Sequence, residues 1–142
     1  RILADYIFGN NAPSQKISMT APVMQQPGEK IAMTAPVIQQ ATDHSGHWKV
    51  SFVMPAGYTL ETLPLPNNSQ IEILSIPAKR YLVIRFSGLA GEESLKKHLE
   101  ELVKYARKIK LHTLGEPIFA FYNPPWTLPF LRRNEVMMEV KE

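Results

Sequence analysis

Apolar and polar positions alternate strictly through two near-copies of one segment. Lys16-Ile-Ser-Met-Thr-Ala-Pro-Val-Met-Gln-Gln26 and Lys30-Ile-Ala-Met-Thr-Ala-Pro-Val-Ile-Gln-Gln40 differ at only two of eleven positions. In each copy the apolar residues are odd-numbered: Ile17, Met19, Ala21 and Val23, then Ile31, Met33, Ala35 and Val37. A period of two is that of a strand with one buried face, and a single repeat of this length is too little for a solenoid. If the copies pair as an antiparallel hairpin, opposed residues must share a face. Pro27-Gly28-Glu29 then becomes a three-residue loop, with Met19 against Val37 and Val23 against Met33. A two-residue Pro27-Gly28 turn would set the apolar face of one strand against the polar face of the other.

Further along, Trp48, Val50, Phe52 and Met54 share one face of a third predicted strand over 47–54, ended by Pro55-Ala56-Gly57. Two β-branched runs, 71–76 and 81–86, read as a strand pair joined around Pro77-Ala78-Lys79. From Glu92 to Leu111 the apolar residues Leu95, Leu99, Leu102, Ala106 and Ile109 recur as one face of a helix. Glu92 and Glu93 suit the positive end of its dipole, and Arg107, Lys108 and Lys110 the negative end. Residues 117–122 and 135–140 read as strands bracketing a loop over 123–133. At the start, Ile2, Leu3, Tyr6 and Ile7 have helical spacing and Gly9-Asn10-Asn11 stops the helix.

The second half therefore reads β, α, β, β. The first reads α, β, β with an extra hairpin strand, so a matching half needs one more strand before Arg1, a strand absent from this chain. Opening inside a helix at Arg1, without Met, the chain reads as an N-terminally truncated fragment.

Composition narrows the chemistry. At 142 residues the chain fits a single domain, 1–142, able to bury about two thirds of its unfolded surface. With 44% hydrophobic and 20% charged residues it is an ordinary globular chain. No run approaches the roughly 18 apolar residues that a membrane span requires, and the reading places the chain in the cytoplasm. The absence of cysteine excludes disulfides, thiolate metal sites, covalent c-type haem attachment and cysteine nucleophiles. A net charge of +3, with Lys96 and Lys97 interleaved with Glu100 and Glu101, forms no phosphate-tracking stripe, so nucleic acid is not expected as a partner.

Several separated motifs, in order, carry a resemblance. They are Tyr6-Ile-Phe-Gly9, the two Lys-Ile-x-Met-Thr-Ala-Pro-Val copies, Val50-Ser-Phe-Val-Met-Pro55, Pro64-Leu-Pro66, Phe86-Ser-Gly88, Tyr122-Asn-Pro-Pro-Trp126 and Arg132-Arg-Asn-Glu-Val136. On these residues the chain resembles the SOUL haem-binding proteins along nearly its whole length. The resemblance implies an α+β fold: a distorted antiparallel β-barrel of two βαββ halves with a helix packed on each, as in GyrI-like domains. It also implies non-covalent binding of haem or another tetrapyrrole in a groove by the first helix and the Pro-rich loop. The chain departs from the family where that helix ends: basic residues implicated there in holding haem are replaced by Asp5 beside Tyr6.

A porphyrin is a broad apolar disc with two carboxylates, so its site needs apolar walls, a cationic rim and, optionally, an axial ligand to iron. The loop from Pro124 to Arg133 offers Trp126 and Phe130 as a wall and Arg132 and Arg133 as partners for propionates. The alternative is that Trp126 and Phe130 plug a barrel end while the arginines sit on carboxylates such as Glu135 or Glu116. Tyr6 and Ile7 could line the same groove, or pack the helix on the sheet. Met19, Met24, Met33, Met54, Met137 and Met138 suit core filling better than iron ligation. Of His44, His47, His98 and His112, none has the spaced partners of a zinc site, and His98 is the candidate axial ligand.

Three functional classes follow. The first is a tetrapyrrole carrier or buffer without catalysis. The second is a GyrI-like small-molecule-binding domain or hydrolase, with Glu72, Glu116, Glu135 and Glu139 as its candidate acids. The third is a protein-interaction module that self-associates through an open sheet edge.

Overall fold

The computed structural model describes residues 2–12, 28, 30–31, 36–42 and 47–141. They fall into two compact units, one drawn from Arg1–Thr34 and Met54–Ile76, the other from Ala35–Val53 and Pro77–Glu142.

In the first unit, helix α1 (Ile2–Ile7) buries Tyr6 and Ile7, the two apolar residues of its last turn. It stops where the backbone turns through Gly9 at a φ of 113°, a region open to glycine at little cost. The freed carbonyls are taken up locally: Phe8 N–H donates to Ala4 and Asn10 N–H to Asp5, while Asn11 Nδ2 donates to the Tyr6 carbonyl. Strand β1 (Asn11–Ala12) follows and pairs antiparallel with β4 (Leu65–Pro66). The Tyr6 hydroxyl reaches the Pro64 carbonyl at 2.7 Å, and Ile31 N–H donates to the Ile7 carbonyl. Gly28 lies so near Gly9 that a Cβ built on it would collide with the Gly9 carbonyl, so only glycine fits there.

The second unit is a five-stranded antiparallel sheet in the order β3-β2-β6-β7-β5, with one helix on it. Its strands are β2 (Val37–Ala41), β3 (Trp48–Phe52), β5 (Tyr81–Phe86), β6 (Thr113–Phe121) and β7 (Asn134–Val140); the helix is α2 (Glu92–Lys108). The order β5-α2-β6-β7 is the βαββ half that the sequence predicts. Register places Leu82, Ile84 and Phe86 opposite Met138, Val136 and Asn134, and Phe119 and Phe121 opposite Val136 and Asn134. All of these share one face, and α2 sets Leu95, Leu99 and Leu102 against it; Val136 at the centre is fully buried.

Among the described residues the sheet is open, with β3 and β5 at its edges, and they trace no closed barrel. Three expectations need correction. Residues 71–76 form no strand. Tyr81–Phe86 pairs with β7 instead, which offers a matching apolar face over six residue pairs, and β-branched content alone cannot select a partner. Helix α2 ends at Lys108, short of Leu111. Lys110 adopts a φ of 55°, Leu111 N–H donates to Ala106 and Lys110 N–H to Arg107, a Schellman turn that leaves Ile109 exposed. Trp48 and Val50, expected inside, are exposed because α2 packs on β5, β6 and β7 and does not reach the β3 edge.

The expected hairpin lies largely outside the described residues, Met19, Val23 and Met33 included. Val37, the expected partner of Met19, has Phe52 on one side and Phe121 on the other.

Candidate functional site

Strands β6 and β7 form a hairpin, and the candidate loop is its long connection, closed at the base by Tyr122 N–H donating to the Arg133 carbonyl. Three prolines, 124, 125 and 129, restrict the backbone, and local bonds tighten it. Thr127 N–H donates to Pro124, a short 3-10 helix (Pro129–Leu131) brings Leu131 N–H to Leu128, and Gly88 N–H donates to Pro129 at 2.8 Å. On this braced backbone Trp126 is 83% exposed and Phe130 70%, with Leu128 and Leu131 also exposed. The described residues bury neither aromatic ring.

The two arginines behave differently. Arg132 Nε donates to the Thr127 carbonyl at 2.7 Å and its Nη2 to that of Pro125, so the side chain threads back and staples the loop. No carboxylate among the described residues pairs with it. Arg133 instead grips Glu135, Nε at 2.8 Å and Nη2 at 2.6 Å from Oε1, and its guanidinium lies 4.2 Å over the Tyr122 ring. Tyr122 donates its hydroxyl to the other oxygen of Glu135 at 2.7 Å. Burial, and then the hydrogen bond to Glu135, push the Tyr122 phenol above its ordinary value; the same carboxylate raises the Arg133 guanidinium.

Sequence reasoning named Arg133 and Glu135 as one alternative but missed Tyr122. The signal was the hairpin itself: once Phe121 pairs with Asn134, Tyr122 and Arg133 must face each other at the loop's base.

His98 lies half-buried on α2, its ring stacked on Phe86 at 3.8 Å and 10°. Its Nδ1 lies 2.7 Å from the Ser94 carbonyl, which can only accept, so Nδ1 is the donor and Nε2 is the nitrogen not engaged by that bond. Trp126, Phe130, Arg132, Arg133 and His98 belong to the second unit; Tyr6 and Ile7 are buried residues of the first.

Of the candidate acids, Glu135 is buried with both oxygens bonded and Glu139 pairs with Lys79 at 2.7 Å, while Glu72 and Glu116 are exposed. Met138 is a core residue. His47 and His112 are exposed; His44, Met19, Met24 and Met33 lie outside the described residues. Among the described residues no group of three His, Asp or Glu could hold a metal ion, and no helix is long and apolar enough to cross a membrane.

The family model described as SOUL heme-binding protein matches residues 25–139, most of the chain. The chain belongs to the SOUL family. The match takes in β2 through most of β7, and with them the apolar loop, Arg132, Arg133 and His98; Tyr6 and Ile7 precede it. No curated protein is similar enough to the chain to match it.

Proposed function

We propose that this chain binds haem or another tetrapyrrole non-covalently and carries or buffers it without altering it. The observation that carries the reading is the braced loop with Trp126 and Phe130 turned to solvent. Large apolar side chains held rigidly outside a core mark a binding surface, and a preorganised one avoids the entropy of ordering on contact. Stacking on flat rings suits a porphyrin plane.

The rim chemistry fits as well. Arg132 is held by carbonyl dipoles and by no carboxylate among the described residues, so its charge is available to a propionate. Arg133, matched by Glu135, supports the loop's base. Iron would be held by its own porphyrin, where it would supply an axial coordination site and the Soret absorption. His98 Nε2 is the nitrogen to test for that axial site. Tyr6 and Ile7 are buried in the first unit, where they pack helix α1.

Binding rather than hydrolysis is supported by the engagement of Glu135 with Tyr122 and Arg133 and of Glu139 with Lys79, two of the four candidate acids. The family match spans sequence from both units, which supports a single domain.

The test is titration of hemin into the chain, followed by the Soret band. A saturable shift at one equivalent is expected; no spectral change would remove the proposal. Replacing His98 with Ala moves the band maximum if Nε2 reaches iron, and an unchanged spectrum removes His98 from the site.

A further inference from the structure

The hairpin tip also has the layered chemistry of a bilayer surface, and we propose that it docks the chain on an anionic lipid membrane. Trp126, Leu128, Phe130 and Leu131 form an exposed apolar tip, and tryptophan is the side chain best suited to the boundary between headgroups and acyl chains.

The backbone of the tip is equally suited. The carbonyls of Pro124, Pro125, Thr127, Leu128 and Pro129 all accept hydrogen bonds from within the unit. Thr127, Leu131 and Arg132 donate their N–H groups inside the loop, Arg133 donates to Asn123 Oδ1, and the three prolines have none to satisfy. Polar backbone left unpaired is what normally keeps a loop out of lipid, and these bonds lower that cost for the part of the loop they cover.

Charge selects the lipid. Arg132, held by loop carbonyls and paired with no carboxylate among the described residues, stands directly behind the apolar tip, while Arg133 is matched by Glu135. No helix among the described residues could span a bilayer, and the proposed attachment is made through the apolar tip.

Vesicle binding of the ligand-free chain tests this apart from the tetrapyrrole reading. Sucrose-loaded vesicles of phosphatidylcholine with phosphatidylserine are sedimented with the chain, against phosphatidylcholine alone, at low and high salt. Expected are preferential binding to the anionic vesicles, weakening with salt, and a blue shift of Trp126 emission in the Trp48→Phe chain. The double variant Trp126→Ala/Phe130→Ala should lose about tenfold or more in partitioning while melting normally, since both side chains are exposed. Failure of the folded chain to bind anionic vesicles, or binding that the double variant leaves unchanged, overturns the proposal. So does a concentration-dependent dimer that shifts Trp126 emission without vesicles, which would give the tip to a second copy of the chain.

Discussion

Arg132 donates its Nε to the carbonyl of Thr127, five residues back, at 2.7 Å. A single side chain thus shapes the apolar loop and stations a cation beside it, so rigidity and charge can be separated by substitution. Arg132→Ala removes both. Arg132→Lys keeps a charge but lacks the planar fork that reaches Pro125 and Thr127 together. Both variants should raise hydrogen exchange across 124–131, and the alanine variant should bind hemin more weakly than the lysine variant. Global stability should fall by about 1 kcal/mol in each.

Glu135 is the buried anchor of the hairpin base, 6% exposed. Glu135→Ala leaves the Tyr122 hydroxyl and the Arg133 guanidinium without their acceptor, and chemical denaturation should show a loss of about 1–3 kcal/mol. Tyr122→Phe removes one of those bonds and should cost about 1 kcal/mol.

Tyr122 also carries a pH signature. Its phenol titrates above the ordinary value of 10.0, through burial first and then its bond to Glu135. The folded chain therefore keeps a proton that the unfolded chain has lost, and stability declines as pH rises from the ordinary value through the folded one. Lys79, raised by its hydrogen bond to Glu139, adds to the same alkaline decline. Melts across alkaline pH should show a shallower slope for Tyr122→Phe than for the parent chain; equal slopes would remove Tyr122 as a source.

Lys110 holds a left-handed backbone that glycine adopts without strain, at a φ of 55°. Lys110→Gly should therefore stabilise the chain by about 1 kcal/mol, against the usual cost of introducing glycine. At the centre of the sheet-facing stripe, Leu102→Ala should destabilise by about 2–5 kcal/mol, as expected for a cavity under a packed helix. Thermal melts distinguish both signs.

Local periodicity made much of the second unit legible. The apolar spacing of Leu95, Leu99, Leu102 and Ala106 placed α2 on its sheet, and the alternation along 135–140 found β7. What it could not find depended on which neighbour a segment would meet. The run 71–76 has strand composition but no paired edge, and Trp48 is apolar in a strand that lies beyond the helix's reach. The first part of β6 was hidden by a register shift between Leu114 and Ile118, where Gly115 takes a φ of 65° and Pro117 interrupts the pattern. At the candidate site, residue types pointed to Trp126, Phe130 and the arginines, but pairing decided their roles. Arg133 fell to Glu135, while Arg132 turned back on its own loop.

The most direct test of the binding account compares hemin titrations of the parent chain and Trp126→Ala/Phe130→Ala by the Soret band, with the exposed Leu60→Ala as a control. Loss of the two rings should raise the midpoint by about tenfold or more, while the control stays at the parent value. A double variant that binds hemin with the parent's midpoint would contradict the account, because the porphyrin would then lie somewhere other than the hairpin loop.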